Sequence, residues 1–426
     1  MPKAVVIAST HSGAGKTTAS LLLVSALKKR GYRVQPFKVG PDYIDPTHYE
    51  FERKAVNLDA FMMGEEGVLK SFKHWMSYAD FGVVEGVMGL YDGYGMSSFS
   101  STAHVSRILN LPVILVLKPE GMSYSTLALF RGFKNFESVN IVGVIFNSVS
   151  PIFYQKLKKV FEEETEVLGF IPKVKDLEME SRHLGLKLGI ESNFDWKKAS
   201  EIAESYLNVD RIIELAEDVE AEEEKLEENE KFTIGVPFDR AFAFYYEDNL
   251  RILKKDAKLI FFSPLNNELP YCDAYYFGGG YPELYPEIES FAKKFRKKYE
   301  DQPVFGECGG MMFLSRKIET EKGVIKCSSF LDIDIVFTKK LQALGYVKGE
   351  IIRENPFFAK SFKGHEFHYS YAIPDDDVRY AFRIDGKGIA NGFDGAINGN
   401  VLGSYAHLHF YSTKVKLAEF FEKRVN

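Results

Sequence analysis

The chain has 426 residues, 45% of them apolar, and a formal net charge of -6. That length supports two hydrophobic cores, the composition excludes a disordered or fibrous protein, and the charge gives nucleic acid no electrostatic reason to bind. No apolar run approaches the roughly 20 residues that span a bilayer, no signal-peptide layout precedes the first strand, and Cys272, Cys308 and Cys327 form no metal-type or disulfide pattern, so a reduced, cytoplasmic protein is the expectation.

Residues 4–8 are a short apolar run closed by polar and glycine residues, the pattern of a buried parallel strand. Residues 17–29 carry apolar side chains at helical spacing and stop at Gly31. Strand-like runs recur at 34–37, 81–84, 113–117 and 142–146, and their alternation with helical stretches predicts a parallel α/β sheet with right-handed crossovers. Residues 217–231 are dense in Glu and Asp and read as a solvated linker. Domains are therefore expected at 1–216 and 232–426. Strand patterns resume at 233–237, 259–262, 274–277 and 304–305, with a helix at 287–298. From residue 333 the pattern turns antiparallel, at 346–352, 366–373 and 380–384, before a last helix at 413–423.

Between the first strand and helix lies Ser12-Gly13-Ala14-Gly15-Lys16-Thr17-Thr18. Glycines let backbone N–H groups turn toward phosphate oxygens, a Lys reaches the β and γ phosphates, and a hydroxyl holds Mg²⁺. Gly13, Gly15, Lys16 and Thr17 supply these parts, with Thr10 where the common pattern has its first Gly. Carboxylates follow the next strands: Asp42 and Asp45 after the second, Glu85 and Asp92 after the third. Ligands of open α/β sheets bind beyond such strand ends, and Glu85 can hold Mg²⁺ there directly or through water.

The second motif is Val304-Phe305-Gly306-Glu307-Cys308-Gly309-Gly310, which reads as strand, sharp turn, helix. Small residues flank a nucleophile on such an elbow because the backbone is tightly bent. The Gly309 N–H is placed to stabilise an oxyanion, with Gly279 in Gly278-Gly279-Gly280-Tyr281-Pro282 as a second donor. The helix dipole is expected to lower the thiol pKa, and His407 and His409 are the candidate bases. An ATP site and a nucleophilic thiol in one chain fit ATP-driven amide formation with nitrogen cut from glutamine.

Together these residues resemble the cobyrinate a,c-diamide synthase family. The resemblance covers nearly the whole chain and rests on Phe37-Lys38-Val39-Gly40-Pro41-Asp42-Tyr43-Ile44-Asp45-Pro46, Asn57-Leu58-Asp59, Glu85-Gly86-Val87-Met88-Gly89-Leu90-Tyr91-Asp92-Gly93 and Arg182-His183-Leu184-Gly185-Leu186. It continues through Gly278-Gly279-Gly280-Tyr281-Pro282-Glu283, Glu307-Cys308-Gly309-Gly310 and Gly364-His365-Glu366-Phe367-His368-Tyr369-Ser370. It implies a synthetase domain similar to dethiobiotin synthetase, followed by a class I glutamine amidotransferase domain. ATP, Mg²⁺, glutamine and a tetrapyrrole-derived macrocycle carboxylate are the implied cofactors and partners, with no nucleic acid and no membrane; the oligomeric state, a homodimer included, stays open.

The resemblance carries nucleotide binding to Gly13, Gly15, Lys16, Thr17, Thr18 and Asn147, the last as a reader of adenine. It assigns metal binding to Thr17, Asp45 and Glu85, and macrocycle contacts to Asp42, Tyr43, Ile44 and Asp92. Cys308 is the implied nucleophile and His407 its base. His409 stands where related amidotransferases keep a Glu, which leaves the group that orients His407 open, and Lys118 stands where many relatives have Asp. The same motifs serve Ni-sirohydrochlorin a,c-diamide synthases. Two other classes remain: a nucleotide-switch ATPase, which leaves Cys308 without a task, and a corrinoid-binding protein, which leaves the phosphate loop without one.

Overall fold

The computed structural model describes residues 1–173, 181–182, 185–186, 194–224 and 230–425. His183 and Leu184 of the family motif lie outside the described residues, as do residues 225–229 of the acidic stretch. The chain divides into two compact units, Met1–Glu224 and Lys225–Asn426.

In chain order the first unit contains β1 (Lys3–Ser9), α1 (Lys16–Lys29), β2 (Val34–Val39), β3 (Val56–Leu58), α2 (Ala60–Met76), β4 (Phe81–Glu85), α3 (Thr102–Ile108), β5 (Val113–Leu117), α4 (Ser125–Phe136), β6 (Ile141–Asn147), α5 (Pro151–Phe161), β7 (Glu166–Ile171), β8 (Ser181–Arg182), β9 (Gly185–Leu186), α6 (Trp196–Tyr206), α7 (Val209–Leu215) and β10 (Glu217–Asp218). The sheet runs β3-β2-β4-β1-β5-β6-β7, and each neighbouring pair is parallel. Its central strands β1, β2, β4 and β5 are almost wholly buried, as in a parallel sheet covered by its crossovers. Leu21, Leu22, Val24 and Leu27 of α1 pack with Val5, Ile7, Val83 and Ile114 in one core. Each such fully buried side chain contributes roughly 1.5–3 kcal/mol relative to exposure.

The acidic stretch differs from the expected linker at 217–231. Its first half belongs to the first unit. β10 pairs antiparallel with β1, Lys3 against Asp218, and Val219 N–H donates to the Pro2 carbonyl at 2.8 Å. Glu220 pairs with Lys73 and Glu224 with Lys70. The like charges are thus compensated by lysines far away in sequence.

The second unit contains β11 (Phe232–Pro237), α8 (Glu247–Leu253), β12 (Ala257–Phe262), β13 (Ala274–Phe277), α9 (Ile288–Lys298), β14 (Val304–Glu307), α10 (Gly309–Leu314), β15 (Lys317–Thr320), β16 (Gly323–Lys326), β17 (Ile333–Phe337), β18 (Ala343–Ile351), β19 (Phe362–His368), β20 (Ser370–Pro374), β21 (Arg379–Ile384), β22 (Phe393–Asn398), β23 (Val401–Ser404), β24 (His407–Leu408) and α11 (Leu417–Val425). One sheet runs β12-β11-β13-β14-β23-β22-β21-β18-β19-β24. It is parallel through β23 and antiparallel beyond. Successive strand residues bury on opposite faces: Phe277, Val304 and Val401 enter one core, while Tyr276, Phe305 and Leu402 enter another. The expected single run at 366–373 is two strands, because β19 stays in this sheet while β20 joins a second one, β16-β15-β17-β20.

Candidate active sites

In the first unit, the loop between β1 and α1 holds Gly13 at φ 78° and Gly15 at φ 102°, both left-handed. Gly15 is required twice over. Its φ favours glycine, and a Cβ there would lie 2.1 Å from Asn147 Nδ2. Asn147, at the end of β6, donates its amide to the Ala14 carbonyl at 2.8 Å, so in this structure it braces the loop. Lys16 is buried and donates Nζ to Ser9 Oγ at 3.0 Å and to the Met88 carbonyl at 2.6 Å. Burial, and then the charge of Lys38, push its ammonium down to a pKa of about 8.

Thr17 Oγ1 donates to Glu85 Oε1 at 2.6 Å. The same oxygen accepts Lys38 Nζ at 2.7 Å, and Tyr49 donates its hydroxyl to Glu85 Oε2. Lys38 stands opposite Glu85 in the β2–β4 register and also pairs with Asp45. Burial works against the Lys38 charge, but Asp45 and Glu85 outweigh it and hold the ammonium above the usual lysine range. Burial likewise raises Glu85 and raises Asp42 to about 7, the latter helped by Asp45.

Lys38 and Tyr49 are thus parts of the site that the motif reading did not assign. The available signal was a lysine directly after the strand-like run 34–37. Asp42 Oδ1 accepts the N–H groups of Ile44 and Asp45, which fixes the turn that carries Tyr43 and Ile44. Asp92 is exposed and accepts the Gly89 N–H at 2.8 Å. Thr18 lies in the first turn of α1, and Lys118, at the end of β5, pairs with Glu120 at 3.1 Å.

Among the described residues no group of three or more His, Cys, Asp or Glu side chains is arranged to hold a metal. Thr17 and Glu85 nonetheless fit Mg²⁺. That ion takes few protein oxygens and completes its shell with phosphates and water, and a hydroxyl and a carboxylate meet here within 2.6 Å. Asp45 is already engaged by Lys38.

In the second unit, Cys308 sits between β14 and α10 at φ 46° and ψ -102°, a strained conformation of the kind found at functional turns. Its N–H donates to the Ser404 carbonyl at 2.7 Å. Gly310 lets the helix start against β13, since a Cβ there would lie 2.2 Å from the Phe277 carbonyl oxygen. Burial, then Glu283, push the Cys308 pKa well above the usual thiol range, and the Gly309 N–H opposes this only in part. The expected net lowering of the thiol pKa is therefore not found, because burial and the carboxylates of Glu283, Glu307 and Glu366 raise it.

Gly279 also departs from expectation. Its N–H donates to the Phe244 carbonyl at 3.2 Å and is not directed to an oxyanion. Gly309 keeps its place at the helix start beside the sulfur.

His407 lies over Gly279, with Cε1 2.4 Å from where a Gly279 Cβ would stand. Its Nδ1 is 3.8 Å from Glu307 Oε2. Glu307 is fixed in turn, accepting Tyr276 OH at 2.9 Å and the Leu408 N–H at 3.1 Å. The His365 ring stacks on His407 at 4.9 Å, and His365 Nδ1 meets Tyr246 OH at 3.0 Å. His409 is elsewhere. Its ring packs on Tyr246 at 4.9 Å, its Nδ1 accepts the Tyr411 N–H at 3.4 Å, and burial lowers its pKa to about 4. The carboxylate facing His407 is therefore Glu307, not a residue at position 409.

Residues 5–186 match the model of the CobQ/CobB/MinD/ParA nucleotide binding domain, and residues 233–415 match that of the CobB/CobQ-like glutamine amidotransferase domain. Three similar proteins are each named cobyrinate a,c-diamide synthase. The protein of Methanocaldococcus jannaschii is 41% identical, with 96% of both chains covered. That of Saccharolobus solfataricus is 38% identical over 97% of this chain and 99% of the relative. That of Clostridium acetobutylicum is 39% identical over 96% and 97%. With both domain models matched and identity of this order over nearly the full length of each relative, the chain belongs to the cobyrinate a,c-diamide synthase family.

Proposed function

We propose that the protein uses ATP and glutamine to convert the a- and c-acetate carboxylates of cobyrinate to amides. The observation that carries this is the presence in one chain of a phosphate loop coupled to Glu85 through Thr17 and a strained Cys308 with a His407–Glu307 pair behind it. The names of the similar proteins supply the substrate.

In the second unit, the Cys308 sulfur attacks the amide carbon of glutamine while His407 takes the thiol proton. The Gly309 N–H holds the oxyanion. His407 returns the proton to the leaving nitrogen, which departs as ammonia, and water then hydrolyses the thioester to glutamate. Glu307 holds the imidazole in the required tautomer and stabilises it once charged. In the first unit, Lys16 and the loop N–H groups of residues 13–17 hold the ATP phosphates. Thr17 and Glu85 would hold magnesium, which would offset charge on the phosphates, while Asp45 stays paired with Lys38. An oxygen of the ring carboxylate takes the γ-phosphoryl group and ADP leaves. Ammonia then attacks the acyl carbon and phosphate leaves, once per acetate arm. Tyr43, Ile44 and Asp92 face the macrocycle, and Asn147 meets the nucleotide from the end of β6. Among the described residues no helix is long and apolar enough to cross a membrane.

The test is amidation with purified protein, ATP, Mg²⁺ and glutamine, on cobyrinate, its metal-free relative and Ni-sirohydrochlorin side by side. Two successive amidations of cobyrinate, with matching glutamate release, are expected. Amidation of Ni-sirohydrochlorin alone would reassign the substrate, and ATP hydrolysis without glutamate release would reject the amidotransferase.

A further inference from the structure

We propose that Glu283 receives the α-ammonium group of glutamine at the Cys308 site and makes that site selective for an amino acid over a plain amide; this rests on the amidotransferase reading above. Three carboxyl side chains act on Cys308: Glu283, Glu307 and Glu366. Two of them are already occupied. Glu307 accepts Tyr276 OH and the Leu408 N–H and faces His407. Glu366 accepts the N–H groups of Gly388 and Lys387, each at 2.8 Å. Glu283 differs, because its Oε2 is buried with no hydrogen-bond partner.

The backbone brings Glu283 to the nucleophile. It lies in the single turn Pro282–Leu284 that follows the glycine loop after β13. A Cβ on Gly309 would stand 3.0 Å from Pro282 Cδ and 2.9 Å from Gly280 N, so this loop closes directly over the residue next to Cys308. A buried carboxyl oxygen without a partner is costly and calls for a donor. Glutamine has one cationic group, its α-ammonium, and a charge-assisted bond in a dry pocket is the strong kind. With the carboxamide at Cys308, the far end of the same small molecule would satisfy Glu283. Burial raises the Glu283 pKa to about 8, so the carboxyl of the empty site is largely protonated near neutral pH, and a bound ammonium is what would draw it into its ionised form.

The test compares ammonia release from glutamine and from 4-carbamoylbutanoate, which is glutamine without its amino group. The full-length wild-type protein should prefer glutamine by roughly 100-fold in kcat/KM, about 2.7 kcal/mol. Glu283→Gln should lose most of that factor on glutamine, chiefly through KM, yet change hydrolysis of the analogue by less than about 3-fold, since it removes a charge and not a base. A urea-unfolding midpoint equal to that of the wild type checks that the variant's fold is intact. If the variant does not fold, the wild-type preference decides alone. No preference in the wild type, a variant with unchanged use of glutamine, or an equal loss on both compounds would overturn the proposal. Glutamine hydrolysis missing altogether in the wild type would instead remove the amidotransferase reading, and this proposal with it.

Discussion

Glu307 and His407 face each other inside the second unit, Oε2 to Nδ1 at 3.8 Å, and both are almost wholly buried. Glu307 immediately precedes Cys308, so one tight turn presents the sulfur and the carboxylate that faces its candidate base. The β14–β23 pairing, Glu307 opposite Ser404, brings them together.

Glu307→Gln should lower glutamine hydrolysis by roughly 100-fold, in the range of a lost acid–base partner. The amide oxygen can still accept from Leu408 or Tyr276, so the fold is kept. His409→Ala should cost less than about 10-fold, because His409 packs on Tyr246 and not on His407. Glutamate release by the two variants decides, and a larger loss for His409→Ala would reverse the roles.

Cys308→Ala should abolish synthesis from glutamine and leave synthesis from free ammonia near the wild-type rate. The thiol and the phosphate loop lie in different compact units. Product formation with each nitrogen source is the measurement, and equal loss with both would reject the division of labour.

Lys16→Ala should remove product formation with either nitrogen source while glutamate release persists in some measure. On the proposed reading, Lys16 is the cation the loop offers to the β and γ phosphates. A variant that still amidated with ammonia at the normal rate would contradict the loop's role.

Lys38→Met should destabilise the first unit by about 3–5 kcal/mol, the cost of breaking a buried ion pair. Glu85 and Asp45 would be left facing each other without the ammonium between them. Urea unfolding measures the loss. Adding Glu85→Gln to the variant should recover part of it, and additive losses would show that Lys38 does not compensate Glu85.

Stability should fall in acid between pH 6.5 and about 4, through His409. Its folded pKa is lowered by burial to about 4, so in this window the unfolded chain takes up a proton that the folded one refuses. Stability is full above 6.5 and declines by about 1.4 kcal/mol per pH unit for this group as pH falls. His365, also lowered by burial and by His407, acts in the same direction. Urea midpoints at pH 7 and pH 5 should differ less in His409→Phe than in the wild type.

The features legible in the sequence are those whose geometry is carried by neighbouring residues. Gly13 to Thr17 and Gly306 to Gly310 each contain their own turn and helix start, and the structure has both. What escaped depends on strand register across long separations. Lys38 meets Glu85 through β2 and β4, and His407 meets Glu307 across 100 residues of chain. The donor capacity of Gly279 could not be judged without Phe244, which consumes it. The acidic stretch misled for the same reason, because Lys70 and Lys73 compensate its charge from α2.

The upward push on the Cys308 pKa has a consequence beyond glutamine chemistry. Peroxides attack thiolates, and a thiol held in its neutral form by burial and carboxylates is a poor target. On the proposed reading, the sulfur stays chemically quiet until bound glutamine and His407 together draw off its proton. Inactivation by peroxide, measured with and without glutamine, would then report the same deprotonation step.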